Sequence, residues 1–193
     1  AIVDYRETVK KLPKHCDSTL IERIKEAGIV SENVAGKGET DTLLNVTSNI
    51  GVFRAGSAPN LVPGYAEVII DSRLPIGVDP EDVEDVLKGI CERHPDITFE
   101  RMMTCESLYS DPDHPLLKIL KDNAEKVFQA PCATTIRVGG TDGKHVRRYG
   151  VPTFSCGVEG GNMGAPDEYV DFRELEQCFE IHARSCYEYL KNI

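Results

Sequence analysis

At 193 residues with 40% hydrophobic content, the chain is long enough for one ordinary domain or two small ones. Its 22 Lys and Arg against 32 Asp and Glu leave a formal net charge of −10, which argues against nucleic-acid and anionic-membrane partners, since both demand clustered positive charge. No apolar run reaches bilayer length and no signal-peptide pattern is present, so a cytoplasmic protein is expected. Seven cysteines, an odd set without a C-x-x-C pair, read as reduced thiols. The chain opens on Ala1 in helical rhythm without an initiator Met, and so reads as a portion of a longer polypeptide.

Ile2, Tyr5, Val9 and Leu12 follow one helical face until Pro13. A second helix is expected from Ser18 and Thr19, with Glu22 in a capping pattern, to a stop at Gly28; the polar stretch 30–41 reads as a loop. Val46, Thr47, Ile50 and Val52 predict a strand within 43–53, weak or bulged at Gly51. After a Pro- and Gly-punctuated connection over 56–64, a strand runs from Ala66 to Leu74. In it Ala66, Val68, Ile70 and Leu74 face the core while Glu67, Asp71 and Arg73 point away, because strand side chains alternate.

Asp79 and Pro80 begin a helix whose stripe is Val83, Val86, Leu87, Ile90 and Cys91, ended at His94-Pro95. A further strand is expected around Ile97, Phe99 and Arg101. Helix, strand, strand, helix, strand is a split βαβ sandwich that lacks only its first strand. Beyond about residue 104 the pattern changes. A helix over 113–129, a strand over 133–138, a Gly139-Gly140 turn, a short helix to Tyr149 and a strand over 151–156 follow. The last helix is capped by Asp171 and Glu174, with Phe172, Leu175, Phe179, His182 and Leu190 on or near its buried side. This alternation belongs to an α/β layer with a parallel element.

Three places invite chemistry. Arg73, on the polar face of its strand, offers a planar, permanently charged fork that can grip a substrate carboxylate in bidentate fashion; the alternative is a pair with Asp71 two residues away. Asn60 lies in a loop stiffened by Pro59 and Pro63, where its amide can donate to a carbonyl or oxyanion; the alternative is a turn-making Asx role. Gly139, Gly140 and Thr141 precede a short helix and offer backbone N–H groups to an anion. They are not a phosphate loop, because three residues rather than four separate Gly139 from Gly143, and His145 follows Lys144. Asp142 is either site-shaping or a helix N-cap. The basic runs Lys10-Lys11 and Arg147-Arg148 read as solvated faces.

Gly56-Ser57-Ala58-Pro59-Asn60-Leu61-Val62-Pro63 with Asp71-Ser72-Arg73, then Gly139-Gly140-Thr141-Asp142, then Ala165-Pro166-Asp167-Glu168-Tyr169-Val170 together resemble, in order, four motifs of M20 metallohydrolases. The resemblance implies an α/β chain in two parts. Residues 1–103 would be a two-layer α/β sandwich lid or dimerisation domain, a ferredoxin-like split βαβ with its first strand missing. Residues 104–193 would be the C-terminal half of an α/β zinc-hydrolase domain. It implies a parent enzyme cleaving an amide bond of N-acyl amino acids or small peptides with one or two zinc ions. Asn60, Arg73, Gly139, Gly140, Thr141 and Asp142 would bind a small carboxylate-bearing substrate, and two copies would pair through the lid.

One position departs from the family pattern. Where a metal-binding His is usual, two residues before Pro166, this chain has Gly164. The nearby His114 and His145 read as surface or capping residues. The family's His-x-Asp and Glu-Glu motifs, which hold the metal and activate water, are absent, as is its lid His. The chain is therefore expected to carry neither catalytic nor metal-ligating residues and to be inactive alone. The alternative is a non-catalytic dimerisation or ligand-binding module of the same fold.

Overall fold

The computed structural model describes residues 1–137 and 139–191. It divides into two compact units, residues 1–107 with 135–139 and residues 108–134 with 140–193.

In the first unit, α1 (Ile2–Val9) and α4 (Pro80–Arg93) pack with a β-hairpin of β1 (Thr47–Ala55) and β2 (Ala66–Arg73). The core is Tyr5, Val9, Val46, Val78, Val83 and Ile90, with Ile70 of β2 and Leu74 just beyond its end against it. Asp71 and Arg73 are exposed, as strand alternation requires. The antiparallel register pairs Thr47 with Arg73 and Ala55 with Ala66, and it slips between Ile50 and Val52, so Gly51 is the bulge its lack of a side chain suggested. No third strand joins this sheet among the described residues. Residues 97–101 form no ladder; Arg101 instead lies beside α4, its Nη1 3.3 Å from Glu84. The α1–α4 contact is also tied by Arg93, which donates to Asp4 at 2.7 Å and holds that carboxyl below its ordinary value.

The second helix begins at Ser18 as expected, but its cap and its far end differ. α2 spans Ser18–Ala35 and is capped by Asp17, whose carboxylate accepts the Leu20 N–H at 2.8 Å. It runs through Gly28 because that glycine serves packing rather than termination. A Cβ there would stand 2.8 Å from Thr40 Oγ1 and 2.9 Å from Thr40 Cα, on α3 (Glu39–Leu44). The stretch 30–41 is thus helix and turn, not loop. Glu32 Oε1 accepts the backbone N–H groups of Gly38 and Thr40, both at 3.2 Å, and so closes the amino end of α3.

Glu32 predicts a pH effect. Its carboxyl is held below the ordinary value of 4.5, first by the Thr40 backbone N–H. A depressed carboxyl contributes stability above its unfolded value and loses it as pH falls through the folded one. Glu32→Gln is expected to lower the thermal midpoint at neutral pH and to flatten its decline on acidification toward about pH 3; parallel thermal melts across that range check it.

In the second unit, α5 (Pro115–Phe128) and α7 (Phe172–Lys191) pack around Leu120, Ala124 and Ile181, with Cys132, Phe154 and Cys156 against them. Between the helices Asn123 is wholly buried; its Nδ2 donates to Ser185 Oγ and Glu188 Oε2, each at 3.2 Å, and its Oδ1 accepts from Lys126 at 3.3 Å. Asn123→Leu is expected to cost about 1–3 kcal/mol by leaving the buried Ser185 hydroxyl without this partner, read as a lower urea midpoint with an unchanged slope.

Two expectations fail in the second half of the chain. Residues 133–137 and 151–156 form no ladder, because no partner strand is present among the described residues; Val138 of the first lies outside them. On α7 the buried positions are Ile181 and Ser185, whereas Phe172, Leu175, Phe179, His182 and Leu190 are exposed. All seven cysteines are free, and no described helix is long and apolar enough to cross a membrane.

Candidate functional site

Arg73 ends β2 on its solvent face. Its Nε and Nη2 both donate to Asp71 Oδ2, at 3.1 and 2.6 Å, so the pair foreseen as the alternative forms. Both side chains are about half exposed, so the pair contributes little stability. It instead fixes the guanidinium plane and leaves Nη1 without a partner among the described residues. Ser72, between them, points inward, where its Oγ meets Tyr5 Oη at 2.6 Å and Ser48 Oγ at 3.3 Å. The buried Tyr5 therefore anchors the strand segment that presents Arg73.

Asn60 lies in the connection at the hairpin's other end. The turn it occupies is closed by the backbone, Leu61 N–H to Ala58 carbonyl at 3.2 Å, rather than by an Asx bond. Its exposed amide is free of protein partners among the described residues. Gly56, at φ +68°, packs against Pro63, where a Cβ would stand 3.3 Å from Pro63 Cγ, and this holds the connection's two ends together. Between Ala66 and Arg73 the strand runs about 23 Å. No hydrogen bond joins Asn60 to Arg73 among the described residues.

The Gly139-Gly140-Thr141-Asp142 segment leads into α6 (Gly143–Arg147). Asp142 occupies the N-cap position, but its carboxylate accepts no capping bond; the turn is closed by Lys144 N–H to Thr141 carbonyl and His145 N–H to Asp142 carbonyl, at 3.1 and 3.0 Å. Gly139, Gly140, Thr141 and Asp142 are all exposed. A Cβ on Gly143 would stand 3.0 Å from Thr153 Cγ2, so Thr153 would have to give by a few tenths of an ångström to admit one.

Arg147 is not the solvated residue its basic neighbour suggested. Its Nε and Nη2 donate to the Thr153 carbonyl at 3.2 and 3.0 Å, and its Nε also reaches Ser110 Oγ at 3.1 Å. Ser110 in turn accepts the Thr153 N–H at 2.8 Å. These three residues brace α6 behind the glycine turn. Nothing in the local pattern around Ser110 announced this role.

The last motif forms a closed loop. Gly161 and Tyr169 exchange backbone hydrogen bonds at 2.9 and 3.1 Å, and a Cβ on Gly161 would stand 2.3 Å from the Tyr169 ring. Asn162, Gly164 and Asp167 all take positive φ, at 54°, 74° and 60°, conformations that Gly, Asn and Asp adopt most readily. Within the loop the Gly164 N–H donates to Glu168 Oε2 at 3.3 Å, and the Asn162 amide donates to the Asp167 carbonyl at 3.4 Å. Nothing lies within 4 Å of a Cβ placed on Gly164. A side chain there would meet open space and cost about 1–2 kcal/mol of backbone strain, less for His than for most residues.

The residues present do not fit a metal ion. Among the described residues no three of His, Cys, Asp and Glu stand together in a ligating group, and position 164 offers no donor side chain. His114 caps α5 by accepting the Leu116 N–H on Nδ1 at 3.2 Å and stacks near Phe154, with ring centres 5.7 Å apart. His145 is exposed on α6. His182 Nε2 donates to the Cys156 carbonyl at 2.8 Å.

Comparison with known proteins supports the family resemblance. The sequence is 24% identical over 119 residues to a succinyl-diaminopimelate desuccinylase of Helicobacter pylori, covering 62% of this chain and 31% of that protein. It is 25% identical over 150 residues to an uncharacterised metallohydrolase of Methanocaldococcus jannaschii, covering 69% and 35%. The chain thus spans about a third of the length of these curated relatives. An M20 family metallo-carboxypeptidase from Sulfolobus solfataricus shares the fold with a TM-score of 0.56 at 18% identity, covering 94% of this chain and 45% of that one. The profile of peptidase family M20/M25/M40 matches residues 9–188, and with nearly the whole sequence matched the chain belongs to that family.

Proposed function

We propose that this chain is the carboxylate-binding part of a metal-dependent amidohydrolase acting on N-acyl amino acids or small peptides. In this reading residues 1–103 serve as a split βαβ lid through which two copies pair, and residues 104–193 are the C-terminal half of the catalytic domain. The observation that carries it is Arg73, a half-exposed guanidinium at the end of β2, held in plane by Asp71 with Nη1 free. A carboxylate approaching that edge gains charge-assisted hydrogen bonds without first having to order the fork. The free Asn60 amide serves as donor to a carbonyl oxygen, and the exposed turn over 139–142 offers backbone N–H groups to a carboxylate. Cleavage itself is assigned to groups outside these residues, because the donors here do not fit the metal.

Titrating the chain with N-acetylalanine while following the Arg73 side chain by NMR tests this. Arg73→Ala is expected to weaken binding by about tenfold or more, the scale of losing a hydrogen bond to a charged group. Arg73→Lys should recover only part, because an ammonium cannot reproduce the planar fork. Unchanged affinity in Arg73→Ala would sink the proposal. With added zinc the chain is expected to leave N-acyl amino acids intact; hydrolysis that a chelator abolishes would place the catalytic groups inside it.

Gly164 favours a second reading, a non-catalytic dimerisation or ligand-binding module. Stoichiometric zinc in a longer form of the protein would support the enzyme. A metal-free dimer in sedimentation would support the module.

A further inference from the structure

A hollow of about 150 Å³ opens in the first unit between α1 and the junction of α3 with β1. Arg6 and Lys10 line it from α1, and Asp41, Asn45 and Thr47 line it from the junction. Its walls are pinned from behind. Tyr5 and Val9, each just ahead of one of the two cations, are buried with Val46 in the unit's core. The space is that of a small molecule rather than of one ordered water.

The charges around this hollow do not satisfy one another. Arg6, Lys10 and Asp41 are exposed, and among the described residues none of the three enters an ion pair. Arg6 and Lys10 stand one helical turn apart, a spacing at which like charges oppose helix formation slightly. The helix dipole favours cations near the C-terminal end of α1. It gives no reason for two of them to share a hollow with a carboxylate and leave it unpaired, in a chain whose net charge is −10.

The hydrogen-bonding groups divide in the same way. Asn45 Nδ2 donates to Asp41 Oδ1 at 2.7 Å and to the Asp41 carbonyl at 3.2 Å. These bonds spend both donor hydrogens of the amide and leave Asn45 Oδ1 and Asp41 Oδ2 as acceptors without a partner among the described residues. The Arg6 guanidinium, the Lys10 ammonium and the Thr47 hydroxyl are donors likewise unspent. A small molecule that is anionic at one end and a cationic N–H donor at the other complements both sets at once.

We propose that this hollow binds a free α-amino acid with a small side chain, its carboxylate held by Arg6 and Lys10 and its ammonium by Asp41 Oδ2 and Asn45 Oδ1. An N-acyl amino acid keeps the carboxylate but has a neutral amide in place of the ammonium, so the hollow discriminates against it. The binding rests on this hollow alone. Only its use, as a sensor of the amino acid that deacylation releases, rests on the reaction proposed above.

Titrating the isotope-labelled chain with alanine tests this, with the Val46, Thr47 and Ser48 amides reporting on the hollow by NMR. Alanine is expected to shift those amides saturably, and N-acetylalanine to do so about tenfold or more weakly, the scale of losing a hydrogen bond to a charged group. Arg6→Gln and Asp41→Asn should each weaken alanine binding by about tenfold, with thermal midpoints near the parent's because both side chains are exposed. Asp41→Asn should also erase the preference over N-acetylalanine. Arg73→Ala should leave the alanine response unchanged, which separates this site from the carboxylate grip proposed above. No saturable shift by about 50 mM alanine, well beyond a millimolar dissociation constant, would overturn the proposal. So would equal affinity for N-acetylalanine, or tighter binding of inorganic phosphate than of alanine, either of which would make the hollow a plain anion site.

Discussion

Tyr5→Ala is expected to lower the stability of the first unit by about 3–5 kcal/mol, the range for removing a buried aromatic ring. Tyr5 is only 4% exposed and sits in the cluster that α1, α4 and the hairpin share. The substitution removes both the ring and the hydroxyl that meets Ser72. Tyr5→Phe separates the two contributions. It keeps the packing and loses one hydrogen bond, an effect of about 1 kcal/mol. Urea unfolding of the pair measures both, and an Ala variant no weaker than the Phe variant would show that the ring is not core. Ser72 lies between Asp71 and Arg73, so Tyr5→Ala should also weaken N-acetylalanine binding, whereas Tyr5→Phe should largely preserve it.

Ile181→Ala is expected to cost about 2–5 kcal/mol, while Phe179→Ala, two residues away on the same helix, should fall within about 0.5 kcal/mol of the parent. Ile181 is 1% exposed between α5 and α7, and Phe179 is 75% exposed on the opposite side. By side-chain size alone the order would be reversed. The comparison is to be made in the 193-residue chain by denaturant midpoint. A Phe179→Ala loss as large as that of Ile181→Ala would mean that the outer face is already buried within this chain.

The same two residues mark the limit of what periodicity can reveal. Helical spacing identifies an apolar stripe through Phe172, Leu175, Phe179 and Leu190, but α7 is apolar on both sides, and a repeat of 3.6 says which residues share a face without saying which face is covered. Gly28 shows a related limit. A glycine after an apolar helical run reads as a stop, whereas here it is the site of close approach to Thr40, a tertiary fact. The stretches 97–101 and 151–156 have strand-like composition yet form no ladder, because a strand is completed by its neighbour and not by its own residues.

Much was nevertheless legible. Asp79 and Pro80 begin α4, His94 ends it, and the β1–β2 hairpin bulges at Gly51, because caps, prolines and glycines act on their own backbone and need no distant partner. The order of the four motifs sufficed for the family, and the lack of a side chain at Gly164 was plain in the sequence. Only the tertiary structure decided that Arg73 is held by Asp71 while Asn60 is free, that Arg147 braces the Thr153 backbone, and that Gly164 takes a positive φ beside open space. The division is physical. Local backbone preferences and motif spacing are written in neighbouring residues, whereas the partner of a charged side chain and the covered face of a helix depend on what the fold brings near.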